Sequence, residues 1–189
     1  AMVVDKQIFE NYGAEVPSAD WTLEELRDAA AATTGTDPVT GEETYGISMI
    51  AAASANKNYI WTSRAMDATV FDFGATLKET VGNINNDKSK AVFDYINSLY
   101  PYSSPDYLEG LDLGVTGTAD SNIAMYITED VNGAYNKIKT AGLTDRFMFL
   151  PLPTILKGEN AGITSSHMGD WNMAVCNTSD NQEWAWEFI

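Results

Sequence analysis

The spacing of apolar residues along the chain predicts alternating helices and strands. Apolar side chains recur every three or four residues in several segments, which is the period of a helix with one buried face. These predicted helices are Ile8–Gly13, Trp21–Ala30, Asn58–Ala68, Ser89–Tyr100 and Val131–Thr140. Short apolar runs bounded by turn residues are typical of buried strands. The predicted strands are Tyr45–Ile50, Ile123–Ile127, Phe147–Leu150 and Met173–Val175, with a hairpin of Val70–Phe73 and Thr80–Ile84 around Gly74.

Residues that begin and end helices support these boundaries. Thr22 and Glu25 have the spacing of a capping box, and Gly13 follows the first helix where a left-handed residue is expected. Thr36–Gly41 consists of turn-forming residues, and Asn83–Asp87 is suited to cap the helix that begins near Ser89. Helices and strands that alternate with short connections indicate the α/β class.

The two ends of the sequence suggest that it is part of a longer protein. Ala1–Met2 looks like a tag remnant followed by an initiator methionine, and we leave it out of the predicted fold. At the other end, a helix is predicted to begin at Ser179–Gln182 or Asp180–Glu183, which have the spacing of a capping box. That helix reaches Phe188–Ile189 with no glycine, asparagine, proline or basic last turn to end it.

Composition narrows the classes of partner. The chain has 11 basic and 27 acidic residues among 189, a formal net charge of −16, and 44% of its residues are hydrophobic. This hydrophobic fraction is sufficient for a buried core. Binding to nucleic acid or to an anionic membrane surface requires clustered Lys and Arg side chains, so the acidic excess argues against both. No run of about 18 apolar residues is present, and we expect no membrane-spanning helix.

Metal and cofactor chemistry have little support in the sequence. Cys176 is the only cysteine and His167 the only histidine, which excludes a disulfide framework and a typical zinc site. No glycine-rich nucleotide-binding motif is present, so no cofactor is expected. A triad of Ser165 or Ser166, His167 and Asp170 is disfavoured, because neighbours on one loop rarely converge in space. A glycosidase-like pair of carboxylates stays open as an alternative.

Aromatic residues beside short polar side chains are the strongest candidates for a ligand site. Flat aromatic faces stack on the C–H faces of sugars, while polar neighbours bind the hydroxyls. The candidate residues are Asn58, Tyr59 and Trp61, then Glu129 and Asp130 with Tyr135, and finally Asp170 and Trp171. The other tryptophans, Trp21, Trp184 and Trp186, lie at helix starts or on apolar stripes, and we assign them to packing.

Several segments, in the same order, resemble motifs of one family, the family-1 extracellular solute-binding proteins of ATP-binding-cassette importers, which includes maltose-binding protein. The opening is similar to the family's "YNKDLFEKAG", and later segments are similar to "P.TWDEL", "TDPDTGKYGF", "AM.I", "PLP" and "AI...SKN.E.AWEFI". The segments that carry the resemblance are Val3–Gly13, Pro17–Leu26, Thr36–Ile47, Ile123–Ile127, Phe149–Pro153 and Ala174–Ile189.

The resemblance implies an α/β fold of the periplasmic-binding-protein type, class II, of which this chain is one lobe of two. Residues 3–150 would form the C-terminal-type ligand-binding lobe. Residues 151–189 would form the hinge crossing and a helix that leads back to a missing first lobe. The implied function is a receptor without catalysis that binds a solute, an oligosaccharide by analogy with relatives, and delivers it to a membrane permease. The implied location is extracellular, as a lipid-anchored or periplasmic protein.

Site residues transfer only partly from the family. Asn58–Trp61 lies where sugar-binding relatives have an aromatic pair that faces the cleft, and Gly169–Trp171 lies where relatives have a glycine-rich cleft loop. After the "AM.I" strand those relatives have Gly and then Trp, whereas this chain has Thr128–Val131. Tyr135, one helical turn later, is a candidate replacement for that Trp. Glu129 and Asp130 would accept hydroxyl hydrogen bonds, or pair with a cationic solute such as a polyamine or peptide.

Overall fold

A mixed sheet of five strands organises the part of the chain that the structure describes. The computed structural model describes residues 1–49, 56–68, 71–72, 74–76, 78–105, 122–128, 130–156 and 178–188. The strands are β1 (Met2–Asp5), β2 (Gly35–Thr36), β3 (Glu43–Ser48), β4 (Phe71–Asp72), β5 (Val81–Gly82), β6 (Ile123–Ile127) and β7 (Phe147–Leu150). Their order in the main sheet is β2-β3-β6-β1-β7, and β4 and β5 form a separate antiparallel hairpin.

The helices confirm the apolar periodicity read from the sequence. They are α1 (Lys6–Tyr12), α2 (Leu23–Ala32), α3 (Asn56–Ala65), α4 (Asp87–Leu99), α5 (Val131–Thr140) and α6 (Gln182–Phe188). A short 3-10 helix, Tyr100–Tyr102, follows α4. The strands Ile123–Ile127 and Phe147–Leu150 and the hairpin around Gly74 are also confirmed. The predicted strand Met173–Val175 lies outside the described residues.

The capping residues act as predicted. The Thr22 side chain accepts a hydrogen bond from the Glu25 backbone N–H at 3.2 Å, and the Glu25 carboxylate accepts one from the Thr22 N–H at 2.8 Å. Gly13 ends α1 in the left-handed region at φ 63°, which other residues rarely adopt. The Asn86 side chain accepts from the Ser89 N–H at 2.9 Å and caps α4. The last helix begins slightly later than predicted, because α6 starts at Gln182.

The first strand corrects the prediction that excluded Ala1–Met2 from the fold. Met2 is fully buried in β1 and pairs with Ile127 on one side and Leu150 on the other. β1 runs antiparallel to both neighbours, whereas β3 and β6 are parallel. The sheet is therefore mixed, and the α/β class is confirmed with one reversed central strand. Four consecutive buried residues in β1 are typical of a strand covered on both faces, which also explains the absence of a period-two pattern.

Two apolar clusters pack on the sheet. Met2 and Val4 belong to the larger cluster, with Trp21, Leu26 and Met125 among its members. Val3 belongs to a second cluster with Ala134, Ile138 and Phe147, which attaches α5 to β7. Because successive strand residues point to opposite faces, β1 contributes to both clusters. Burying one such side chain contributes about 1.5–3 kcal/mol.

The tryptophans assigned to packing divide into two groups. Trp21 is buried, with 2% of its surface exposed, and its indole N–H donates to the Pro151 carbonyl at 2.8 Å. Trp184 and Trp186 are 74% and 68% exposed, so no described part of the chain covers them and their assignment to packing stays a prediction.

The segment after β7 is bound to the lobe that precedes it. The Thr154 N–H donates to the Trp21 carbonyl at 3.1 Å, and the Leu23 N–H donates to the Thr154 carbonyl at 2.8 Å. Together with the indole bond of Trp21, these contacts attach the Pro151–Thr154 segment to the start of α2. The domain boundary predicted between residues 150 and 151 stays a prediction.

Candidate ligand-binding edge of the sheet

The main sheet brings the ends of several strands to one edge. The parallel strands β3 and β6 end there at Ser48 and Ile127, and the antiparallel strand β1 begins there. β7 also ends there, at Leu150. We call this edge, with Ser48, Thr128, Asp130 and Leu150, the carboxyl edge. Ligands of open α/β sheets bind outside the carboxyl ends of the parallel strands, so this edge is the candidate site.

The turn between β6 and α5 has a defined geometry at this edge. The Thr128 N–H donates to the Ala1 carbonyl at 2.9 Å, which extends the pairing of β6 with β1 by one residue. The Thr128 hydroxyl accepts from the Asp130 N–H at 3.2 Å, and the Asp130 carboxylate accepts from the Gly133 N–H at 2.8 Å. Asp130 is thus the N-cap of α5 and is exposed to solvent. The predicted site residue Asp130 therefore lies at the carboxyl edge.

Gly133 is required for the position of that carboxylate. A Cβ atom at Gly133 would lie 2.1 Å from Asp130 Oδ2 and 2.7 Å from its Cγ, well inside van der Waals contact. The carboxylate of Asp130 therefore lies directly over the first turn of α5. Any larger residue at position 133 would displace it.

Tyr135 is the exposed aromatic residue near this edge that the sequence predicted. Its side chain is 45% exposed on α5, one turn after Val131, which is 44% exposed. The ring centroids of Tyr135 and Phe149 are 6.5 Å apart with a 55° angle between the planes. This tilted arrangement is favourable for aromatic pairs, and it holds the Tyr135 ring while leaving much of it open.

The candidates on α3 are buried. Asn58, Tyr59 and Trp61 have almost no exposed surface, and the Tyr59 ring stacks on Phe93 of α4 with centroids 4.8 Å apart. The Tyr59 hydroxyl and the Trp61 indole N–H are buried and have no hydrogen-bond partner in the described part of the chain. The structure thus places these aromatic rings in the core between α3 and α4. A ligand contact from any of the three stays a prediction.

The other three predicted site residues, Glu129, Asp170 and Trp171, lie outside the described residues, as do His167 and the serines beside it. Where the chain is described, no cluster of three or more His, Cys, Asp or Glu side chains could hold a metal ion. None of the described helices is both long and apolar enough to cross a membrane.

An open depression lies away from the carboxyl edge. It has a volume of about 380 Å³ and is lined by Asp67, Asn83, Asn86, Asp87 and Lys88. The Lys88 ammonium pairs with the Asp67 carboxylate at 2.9 Å across it. Asn86 is occupied as the cap of α4. Because Asp67, Lys88 and Asn86 already have partners, the depression is a poor candidate for the main site.

An ion pair that the sequence analysis missed lies at the opposite edge of the sheet. Asp5, at the end of β1, is bound by two nitrogens of Arg146, with Nε to Oδ1 at 2.8 Å and Nη2 to Oδ2 at 2.6 Å. The hydrogen bond to Asp5 raises the pKa of Arg146. Burial, assisted by the negative charge of Asp5, raises the pKa of Tyr126 to about 12. This pair joins the end of β1 to the residue that precedes β7, at the far edge of the sheet.

Ser48, Thr128 and Gly133 are residues of the carboxyl edge that the sequence analysis did not select. The sequence contained a signal for two of them. A strand that is followed directly by a helix-capping residue predicts that the carboxyl end of the strand lies beside the N-terminus of the helix. That rule indicates Thr128 and Gly133, on either side of Asp130. No comparable local pattern marks Ser48.

Comparison with known proteins decides the family. The family model for bacterial extracellular solute-binding proteins matches residues 1–189. The chain belongs to this family. No curated protein matches its sequence significantly. Members of the family are binding proteins associated with transport, and the family is extracellular.

Solved structures of solute-binding proteins share the fold. A protein from Thermotoga lettingae TMO, bound with alpha-D-tagatose, is 18% identical with a TM-score of 0.69, over 99% of this chain and 45% of that one. A protein from Agrobacterium vitis S4, with bound D-mannitol, is 18% identical with a TM-score of 0.60, and the match covers 81% of this chain and 36% of that one. A protein from Listeria monocytogenes, in complex with cycloalternan, is 22% identical with a TM-score of 0.50, and the match covers 66% of this chain and 30% of that one. The chain thus spans less than half of these solute-binding proteins.

Proposed function

We propose that this chain is the ligand-binding lobe of a sugar receptor that serves an ATP-binding-cassette importer and performs no catalysis. The observation that carries the proposal is the family match over residues 1–189. Similar structures hold a monosaccharide, a sugar alcohol and a cyclic oligosaccharide, which supports a carbohydrate ligand. Within that class we propose an oligosaccharide. The mechanism is closure of two lobes around the ligand, which excludes water from the polar contacts.

The proposed contacts lie at the carboxyl edge. Tyr135 offers an exposed ring supported by Phe149, suited to stacking on a sugar face. Asp130 offers carboxylate oxygens to hydroxyl groups, and a carboxylate acceptor makes a stronger hydrogen bond than a neutral one. Glu129, Asp170 and Trp171 remain part of the proposed site through the family resemblance.

We include Asn58, Tyr59 and Trp61 as contacts made at the start of α3. A buried donor without a partner costs about 1–3 kcal/mol, and both the Tyr59 hydroxyl and the Trp61 indole N–H lack one in the described part of the chain. A ligand hydroxyl or an ordered water in the closed receptor would supply the missing hydrogen bond.

The proposed division of the protein assigns residues 3–150 to this lobe and residues 151–189 to the crossing and the return helix. The exposed indoles of Trp184 and Trp186 support the assignment of α6 as a helix that returns to a missing lobe, because large apolar side chains on a short helix are normally covered by another part of the protein. We propose that the first lobe covers at least one of them. The permease is the proposed membrane partner, and the proposed location is extracellular, as a lipoprotein or a periplasmic protein.

A thermal-shift screen of the complete mature protein tests the proposal. The screen includes oligosaccharides, monosaccharides, sugar alcohols, polyamines and peptides. A ligand at 100 times its Kd adds about 2.7 kcal/mol to the free energy of unfolding, which gives a clear rise in Tm. A rise with carbohydrates supports the sugar receptor, and a rise with polyamines or peptides alone assigns a cationic solute instead. Hydrolysis of chromogenic glycosides that one Asp or Glu substitution abolishes would replace the receptor by an enzyme.

The Tyr135→Ala variant tests the site within the same assay. Loss of a stacked ring should weaken sugar binding about tenfold, since such a contact contributes about 1 kcal/mol or more. Phe71→Ala is the matched control, because Phe71 is similarly exposed but lies in the separate hairpin of β4 and β5. Equal affinities of parent and Tyr135→Ala protein would remove Tyr135 from the site.

A further inference from the structure

We propose that Ser104, together with Ser48, binds a hydroxyl group of the ligand at the carboxyl end of β3. This inference rests on the proposed function, and it assigns a polyol contact to a residue that the sequence analysis did not select. It concerns the segment after the 3-10 helix, where the chain runs beside β3 at the carboxyl edge.

The Ser104 hydroxyl is buried and has no partner. Ser104 is only 1% exposed, so its hydroxyl has lost water without gaining a protein group in exchange, which costs free energy. Native proteins leave few such groups, so one that remains indicates a bound water or ligand group. Among the residues that the structure describes, the buried side-chain atoms without a hydrogen-bond partner are Tyr59 Oη, Trp61 Nε1, Ser89 Oγ, Ser104 Oγ and Tyr126 Oη.

Position separates Ser104 from the other members of that set. The two residues of α3 already belong to the proposed site. Ser89 lies in the first turn of α4. The negative charge of Asp5 contributes to the raised pKa of Tyr126, so the Tyr126 side chain lies within electrostatic reach of the far edge of the sheet. Of this set, Ser104 is the residue that adjoins the end of a parallel strand.

Hydrogen bonding to β3 fixes the position of Ser104. Ile47 and Ser103 form a parallel bridge, and the Ser104 N–H donates to the Ile47 carbonyl at 3.0 Å. Ser104 is therefore level with Ser48, the last residue of β3, at the usual spacing of about 4.8 Å between paired strands. Because side chains alternate between the two faces of a sheet, Ser48 and Ser104 lie on the same face. Their hydroxyls are thus neighbours.

The Ser48 hydroxyl has only a weak partner. It donates to the carbonyl of Met49, the next residue, at 3.4 Å, which is longer than the usual distance of about 2.5–3.0 Å. Two hydrogen bonds of about 2.8 Å that meet at one oxygen can span the distance between neighbouring strands. One ligand oxygen can therefore bond to both serines. Ser103, by contrast, donates to the Leu99 carbonyl at 3.1 Å and needs no further partner.

The chemistry of these two serines selects a hydroxyl as the bound group. A serine hydroxyl both donates and accepts, which matches a sugar hydroxyl, whereas a carboxylate only accepts and an ammonium only donates. Neither serine carries a charge that would offset the cost of burying a charged group. The position is also shallow, because Pro105, the next residue after Ser104, is exposed. A hydroxyl group of a polyol is the partner that fits.

Binding by serine variants of the complete protein tests the inference. The probes are D-tagatose, D-mannitol, maltose and maltotriose, and each carbohydrate that raises Tm is compared with its singly deoxygenated analogues. Ser104→Ala should weaken binding of that carbohydrate about fivefold to twentyfold, which corresponds to one lost hydrogen bond in a dry site. The effect should disappear for the one analogue that lacks the contacted hydroxyl, because no group remains there for Ser104 to bind.

Two other serines supply matched controls. Ser89→Ala removes an equally buried hydroxyl without a partner, away from the carboxyl edge, and should leave the affinity unchanged. Ser103→Ala removes the bond to Leu99 and should lower the midpoint of urea unfolding. Ser104→Ala should not lower that midpoint in the protein without ligand, because its hydroxyl has no bond to lose.

Three outcomes would overturn the inference while leaving the receptor function intact. Equal affinities of the Ser104→Ala and Ser89→Ala proteins would remove Ser104 from the site. An equal loss for the carbohydrate and all of its analogues would make the effect of Ser104 structural. A lower urea midpoint in Ser104→Ala, as in Ser103→Ala, would mean that the hydroxyl is already satisfied without ligand. Silence with every carbohydrate would instead remove the sugar-receptor function and this inference with it.

Discussion

Removal of Arg146 tests the account of how β1 is held in the sheet. The Arg146→Ala substitution leaves the Asp5 carboxylate, 1% exposed, without its counterion. It also removes the contact of the guanidinium with the Phe147 ring, 5.4 Å from the centroid. The Gln7 N–H, at 3.1 Å from Asp5 Oδ1, remains as a donor to the carboxylate.

The magnitude follows from burial. Breaking a buried ion pair by removing one partner costs about 3–5 kcal/mol, because the remaining charge is desolvated and unpaired. The Arg146 side chain is 30% exposed and Asp5 keeps one backbone donor, so the expected loss is smaller, about 2–4 kcal/mol. Arg146→Lys keeps the charge but loses the two-pronged geometry, and about 1 kcal/mol should be lost.

Urea unfolding of the complete protein measures these losses as shifts in the midpoint at constant m value. The matched control is Arg27→Ala, because Arg27 pairs with Glu24 at 3.6 Å and both side chains are exposed. That control should lose less than about 1 kcal/mol. If Arg146→Ala costs no more than Arg27→Ala, the reasoning that this pair holds the far edge of the sheet is wrong.

Three further predictions concern a turn, a cap and a crossing. Asp37 has a pKa below its usual 3.8, because hydrogen bonds from its neighbours outweigh the opposing effect of burial. The unfolded protein therefore binds more protons than the folded protein as the pH falls below about 4. The free energy of unfolding of the parent should decrease more steeply in that range than that of the Asp37→Asn variant, as acid unfolding measures. Gly133→Ala should leave the free energy of unfolding of the parent nearly unchanged, because a gain of about 1 kcal/mol in helix propensity offsets the loss of the displaced Asp130 cap. In an Asp130→Ala background, which has no cap to lose, the same substitution should raise the free energy of unfolding by about 1 kcal/mol, as a double-mutant cycle would show. Trp21→Phe removes the 2.8 Å bond to Pro151 and part of a buried ring, and a loss of about 2 kcal/mol is expected in urea unfolding; no loss would mean that the bond does not hold the crossing.

Local sequence determined the elements and their ends. The helical period of Ser89–Tyr100 and the continuous apolar run Ile123–Ile127 predict a helix and a strand that the structure confirms. Capping at Thr22 and Gly13 was also predicted, because such signals act through hydrogen bonds and dihedral angles within a few residues. The α/β class and the family followed from the order of these segments along the chain.

Tertiary structure decided which of these residues meet. Sequence spacing did not reveal the reversal of β1 or the pairing of Asp5 with Arg146, 141 positions away, because both depend on sheet order. It also did not separate Tyr59, buried against α4, from Tyr135, exposed on α5, since both are aromatic residues beside polar ones. Chemical type and local period are written in the sequence, whereas burial and proximity arise only when distant segments pack against each other.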